Sequence, residues 1–366
     1  MEASGLDGLS FAGAIAAWGG LPAGAGRSLG GRMCRALAWA CGLLAEVLRL
    51  APSSRKVLGM RIHHLNGVSS CPLGGWLMDH RTHGVLTRGH LTCHCVLLDT
   101  DSGLVLLDTG FGLRDVADPH GRLSEFFLTL LEPELREEMT AVRQIQRLGY
   151  EARDVQHIVL THLDFDHAGG LDDFPEARVH LLEPERRHAM AQSTWLDRQR
   201  FRPQQWSSRD RWRTYPAERG ERWFDFEGVQ RLDGLPPELL LVPLIGHTLG
   251  HAGIAVQSQG SWLLLAGDAY FYHAEMDRDR PWCTPGLRFY QNMMEKDRRA
   301  RLVNQARLRE LVRDHGATVN VFCSHDPTEF ERITGRDANQ PIGSVPGVFR
   351  PAPVSTVRPG VAAQSS

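Results

Sequence analysis

Thr161-His162-Leu163-Asp164-Phe165-Asp166-His167-Ala168-Gly169-Gly170 follows directly on the apolar run Ile158-Val159-Leu160. A hydrophobic strand thus ends by releasing two histidines and two aspartates into a short loop. Crowded carboxylates repel one another, and a partly buried set needs an ion or other cations among them. In extended chain His162 and Asp164, two apart, point the same way. Asp166 and His167 are adjacent, so they diverge and can serve a second metal position. Gly169 and Gly170 allow close backbone packing where a helix would start. The plainer reading is a polar loop whose aspartate caps that helix.

Further segments end alike. Leu239-Leu240-Leu241-Val242-Pro243-Leu244-Ile245 runs into Gly246-His247-Thr248-Leu249-Gly250-His251. Trp262-Leu263-Leu264-Leu265-Ala266 runs into Gly267-Asp268, and Val319-Asn320-Val321-Phe322-Cys323 into Ser324-His325-Asp326. Upstream, Leu104-Val105-Leu106-Leu107 ends in Asp108-Thr109-Gly110. Chemistry gathered at strand ends is what an α/β scaffold with one functional edge produces.

This ordered set resembles the metallo-β-lactamase-fold superfamily over roughly residues 59–335. Among its branches it is most similar to the acyl-homoserine-lactone lactonases and related metallohydrolases. The resemblance implies a four-layer αββα sandwich of the α/β class and a hydrolase with two divalent metals, zinc first, manganese or iron as alternatives. It assigns His162, Asp164 and His247 to the first metal, and Asp166, His167 and His325 to the second. Asp268 would bridge them, and Asp166 is counted among the catalytic residues as well as the ligands. The family motif is His-x-His-x-Asp-His, so Asp164 stands where a second histidine is expected. An anionic ligand there leaves the metals less electron-poor and their water a weaker acid. Alternatively Asp164 stays outside the shell and holds a water, leaving one weak site. Asp108 would orient a ligand rather than bind metal, or serve simply as a turn residue. His251 would hydrogen-bond near His247 or sit in the core. Lactonases of the family carry a tyrosine three residues after the bridging aspartate. That position is Phe271 here, flanked by Tyr270 and Tyr272. Tyr272 is the favoured catalytic donor, since Tyr270 lies closer to the strand end.

Length alone allows two domains, but ligands from both halves must meet at one edge, so a single domain is expected over 59–335. A formal net charge of −2 gives no push toward nucleic acid or membrane. Seven cysteines without CxxC spacing read as core thiols of a cytoplasmic protein. Residues 1–58 are expected to form a largely mobile extension. The stretch from Phe11 to Ala25 loosely resembles a signal-peptide core, but Glu2 and Asp7 precede it without Lys or Arg, against secretion. Residues 336–366, rich in Pro, Gly, Ser and Val, read as a disordered tail.

Strands are predicted at 60–65, 91–98, 104–107, 158–160, 178–182, 239–244, 254–257, 262–265 and 319–323, and helices at 123–131, 133–148, 183–192 and 295–315. Between 186 and 222 many arginines interleave with Trp195, Phe201, Trp206, Trp212 and Tyr215 without periodicity. Such a mixture can stack single-stranded nucleic acid. Asp197, Asp210, Glu218 and Glu221 break up the positive field, so the segment reads instead as a lid whose tryptophans line an apolar substrate pocket. The partner expected is a small molecule, and the bond cleaved a lactone or other carboxylic ester. A thioester or phosphoester hydrolase, or a non-catalytic binding protein stabilised by metal, are the alternatives.

Overall fold

The computed structural model of the chain describes residues 60–101 and 103–343. The expected extension over 1–58 and the tail beyond 343 lie outside the described residues. Residues 336–343, assigned by composition to the tail, are tied to the domain. The Asn66 side-chain amide donates to the Ala338 carbonyl at 2.8 Å, and Ile342 N–H donates to Gln144 at 3.0 Å. Polar composition carried no sign of these long-range partners.

Every apolar run predicted as a strand is one. The first sheet holds β1 (Arg61–Asn66), β2 (His94–Thr100), β3 (Gly103–Leu107), β4 (Val155–Val159), β5 (Arg178–Leu182) and β6 (Trp212–Tyr215), in sequence order. The second holds β7 (Glu221–Trp223), β8 (Phe226–Arg231), β9 (Leu239–Pro243), β10 (Ala252–Ser258), β11 (Ser261–Leu265) and β12 (Val319–Phe322). The principal helices are α1 (Glu125–Leu131), α2 (Ala141–Arg147), α3 (Glu183–Ala191), α4 (Trp195–Arg200), α5 (Pro285–Met294), α6 (Arg298–His315) and α7 (Pro327–Thr334).

The central strands, β3 and β9 above all, are apolar because both faces are covered. Val96, Leu98, Val105, Leu107 and Val159 turn inward and pack on Leu239, Leu241, Ile254, Val256 and Leu265 of the other sheet. Their neighbours Cys95, Leu97, Leu104, Leu106 and Ile158 turn outward onto Val142 and Ile145 of α2. On the far side Leu240, Val242, Ala255 and Leu264 pack on Leu308 and Leu311 of α6. The result is the expected order helix, sheet, sheet, helix.

Strand direction sets where the chemistry collects. β3, β4, β5 and β6 run parallel. In the other sheet β9 and β11 each run antiparallel to β10, and β12 runs parallel to β11. The carboxyl ends of β3 and β4, and those of β9, β11 and β12, therefore gather their loops in one region. Ala252 N–H donates to Thr161 O at 2.9 Å and His94 N–H to Ser324 O at 2.9 Å, tying the sheets together there.

Two further expectations are corrected. The helix predicted over 133–148 is helical only in α2 and a short 3₁₀ turn at Glu137–Met139, because Glu134 N–H is drawn to Ser69 O at 2.8 Å. The segment 186–222 is not a lid: it supplies α4, β6 and the start of β7. Trp206 and Trp212, 2% and 9% exposed, belong to the core outside the first sheet, their rings 5.8 Å apart. Burial against distant strands takes up these aromatics, which no local period announces.

Candidate metal centre

Seven donors meet at this edge, and none is more than 5% exposed. Their atoms fall into two groups, His162, Asp164, His247 and Asp268 in one, and Asp166, His167 and His325 in the other. Asp268 lies between them, with carboxylate oxygens 3.4 Å from His247 Nε2, 3.3 Å from His167 Nε2 and 3.1 Å from His325 Nε2.

Hydrogen bonds at the outer ring nitrogens decide which way the lone pairs face. The Asp108 carboxylate accepts from Thr161 N–H at 2.7 Å, from the Thr161 hydroxyl at 2.7 Å and from His167 Nδ1 at 2.9 Å. The Thr161 hydroxyl, having donated to Asp108, accepts from His162 Nδ1 at 2.9 Å. His325 Nδ1 donates to Thr92 O at 2.7 Å. Each of these three rings is thus held through Nδ1 and turns Nε2 inward, toward Asp268, as a metal ligand must. His167 Nε2 and His325 Nε2 stand 3.3 Å apart. His162 Nε2 and Asp268 Oδ1 are buried without a hydrogen-bond partner. Converging ring nitrogens and orphaned buried acceptors fit a divalent cation, and imidazole with carboxylate suits zinc, with manganese or iron next.

Backbone geometry is specialised here. Asp108 sits at φ 52°, a left-handed conformation that aspartate tolerates better than most side chains. Gly267 has φ 56°, and a Cβ there would lie 2.6 Å from His251 Nε2. The glycine therefore lets Asp268 N–H donate to His251 Nε2 at 2.9 Å, while His251 Nδ1 donates to Leu244 O at 3.0 Å. His251 is buried, as one of its two expected readings had it, and it holds the main chain of Asp268.

Electrostatics follow from burial and proximity. Burial pushes the Asp166 carboxyl upward, and neighbouring Asp268 and Asp164 add to the rise. Burial acts the same way on Asp164, yet Arg200, with His162 and His247, holds that carboxyl well below the usual range. Burial and the Arg200 charge lower His247.

Sequence reasoning missed three residues that the fold brings in. Arg200, fully buried at the end of α4, forms a two-pronged ion pair with Asp164, Nε to Oδ1 at 2.7 Å and Nη2 to Oδ2 at 2.5 Å. Glu185 in the first turn of α3 accepts from Leu163 N–H at 2.9 Å, from Gly250 N–H at 3.2 Å and from the Thr248 hydroxyl, pinning two ligand loops together. Burial raises its carboxyl to about 7. Tyr290 of α5 is the third. Beyond burial, the charges that raise its phenol are those of Asp166, Asp164 and Asp268. Only the pairing of α3 residues with a motif loop, or the Thr284-Pro285 helix start, could have pointed to any of them. The expected tyrosines are placed otherwise. Tyr270 donates to Glu329 at 3.0 Å. Tyr272 senses Asp326, Cys283 and Asp79, none of them a ligand candidate. Phe271 stacks on His325 at 5.1 Å.

A model of the metallo-beta-lactamase superfamily matches residues 88–312. A probable metallo-hydrolase of Mycobacterium bovis is 38% identical over 291 residues, 79% of this chain and 87% of the relative. An N-acyl homoserine lactonase of Bacillus thuringiensis is 27% identical over 216 residues, 58% of this chain and 78% of the relative. Among solved structures, an N-acyl homoserine lactone hydrolase with the product N-hexanoyl-L-homoserine at its catalytic metal centre superposes with a TM-score of 0.55. At 21% identity, over 75% of this chain and 95% of that one, it shares the fold.

Proposed function

Because the chain belongs to the metallo-beta-lactamase superfamily, whose fold is that of a hydrolase, we propose that it cleaves an ester-like bond, a lactone or another carboxylic ester, with a metal-activated water. The observation that carries this reading is the pair of inward-facing Nε2 atoms of His167 and His325, 3.3 Å apart, gathered with the carboxylates of Asp166 and Asp268. A divalent metal held by those four residues would acidify a water and polarise a carbonyl oxygen.

The protein's own groups supply the rest. Asp108 and Thr92 O keep the two imidazoles in the tautomer that points a lone pair inward. His251 and Gly267 set the position of Asp268. His162 Nε2, unpartnered and 3.7 Å from Asp268 Oδ2, is a neutral acceptor for a water proton. Tyr290, in place of the sequence-favoured Tyr272, is the phenol donor for the oxygen that becomes negative in the tetrahedral intermediate. Phe165, Phe271, Leu287 and Met294, in one apolar cluster with Tyr290, offer an acyl chain a dry wall.

The partner is a small molecule. Among the described residues no helix is long and apolar enough to cross a membrane. The cytoplasmic placement rests on five free, buried thiols, Cys71, Cys93, Cys95, Cys283 and Cys323, which a reducing compartment maintains.

The test is turnover of a panel of lactones, linear carboxylic esters, thioesters and phosphodiesters by protein loaded in turn with zinc, manganese and iron. Metal-dependent turnover of lactones or carboxylic esters above the other classes is the expected result. Turnover confined to phosphodiesters or thioesters refutes the bond assigned, and metal binding without turnover of any class refutes the catalytic reading.

A further inference from the structure

The superfamily motif assigns two metal positions, and Arg200 stands in one of them. Its guanidinium has donors directed at five acceptors. Nε reaches Asp164 Oδ1 at 2.7 Å, and Nη2 lies 2.5 Å from Asp164 Oδ2 and 2.7 Å from His247 Nε2. Nη1 donates to Met294 O at 2.7 Å and reaches His247 O at 3.4 Å. The backbone locks it there, since Phe165 N–H donates to Arg200 O at 3.2 Å and Asp164 bridges to Phe201. A side chain with no exposure and a fully used fork is a built part of the site.

We propose that the Arg200 guanidinium replaces the first metal, so that the centre carries a single divalent ion on Asp166, His167, His325 and Asp268. The inference rests on the metal-dependent reading above and narrows it. An imidazole nitrogen has one lone pair in the ring plane. When His247 Nε2 accepts an arginine N–H, it has none left for a metal. Each Asp164 oxygen gives one of its lone pairs to the fork, and His162 Nε2 is the one nitrogen of the first group left uncommitted. Charge points the same way. Changing the motif histidine to Asp164 adds one negative charge, and Arg200, protonated at every accessible pH, cancels it. A divalent ion set beside that buried cation would be repelled across a few ångströms of poorly screening interior. The other group has no such cation beside it, and its two Nε2 atoms, 3.3 Å apart, face only each other and the carboxylates that would share the ion.

Metal content of the full chain decides the matter. Protein purified without chelator, incubated with excess zinc and then desalted, is assayed for metal per chain by elemental analysis. A manganese-loaded sample is examined by electron paramagnetic resonance. Wild type is expected to hold one equivalent and to show the six-line signal of an isolated manganese ion. Arg200→Lys, which keeps the charge, should still hold one. Asp164→His with Arg200→Leu restores the three-histidine group and should hold two, with an exchange-coupled manganese spectrum. If the double variant does not fold, the wild-type count and spectrum decide alone. Two equivalents in the wild type, a coupled spectrum, or no bound metal overturns the proposal. Two equivalents with ester turnover would sink the single-metal inference and leave the hydrolase reading intact. One equivalent without turnover of any ester would do the reverse.

Discussion

Asp108→Asn isolates how much of the centre depends on the proton positions of its ligands. The native carboxylate accepts from Thr161 N–H, from the Thr161 hydroxyl and from His167 Nδ1, all between 2.7 and 2.9 Å. Asparagine keeps shape, volume and tolerance of the left-handed backbone at this position, where φ is 52°. Its oxygen can still serve Thr161 N–H, but its amide nitrogen then faces the hydroxyl and His167 Nδ1. A donor now confronts a donor, so His167 must move its proton to Nε2, toward Asp268. Metal binding has to expel that proton. Loss of such an orienting partner costs about 10- to 100-fold in metal affinity, or roughly 1.4–2.8 kcal/mol. Metal-free protein should also lose roughly 1.5–3 kcal/mol, the worth of a charge-assisted hydrogen bond. Competition titration against a chromophoric chelator measures the first quantity, and urea unfolding of the metal-free protein the second. If Asp108→Asn binds metal as tightly as wild type, Asp108 does not set the His167 tautomer, and the lone-pair argument for the centre fails with it.

Three more outcomes follow from the same geometry. Asp268→Ala removes oxygens within 3.4 Å of His167, His325 and His247; bound metal and turnover should fall together by orders of magnitude, and retention of both would unseat the ligand assignment. Tyr290→Phe should lower turnover by about 10²–10³ with metal content unchanged, whereas Tyr272→Phe should change it little; the opposite ranking would return the oxyanion role to Tyr272. Trp206→Ala should destabilise folding by about 3–5 kcal/mol, as a large core truncation does, while turnover per folded molecule stays near wild type. A selective loss of substrate affinity in Trp206→Ala would instead restore the lid.

The strands that build the two sheets' inner faces were legible because sustained burial on both faces demands uninterrupted apolar runs, as at 104–107 and 239–243. β6, β7 and β8 were not: Trp-Arg-Thr-Tyr and Phe-Glu-Gly-Val-Gln-Arg mix exposed and buried positions, so no apolar run marks them. Arg200, Glu185 and Tyr290 escaped for a related reason. A helical arginine, glutamate or tyrosine looks like an ordinary amphipathic position until packing removes its water and supplies its partner.

By itself the sequence determined the superfamily, the α/β layering and which seven side chains gather at one edge. Those follow from strand-ending motifs in fixed order, and strand ends are local events. Which nitrogen of each histidine faces inward, which tyrosine senses the carboxylates, and what cation neutralises Asp164 were decided by tertiary structure alone. Each depends on a partner from another element, such as Asp108 for His167, α5 for the phenol and α4 for the guanidinium. Chain separation hides these pairings, and only burial in a shared, poorly screening interior makes them energetically decisive.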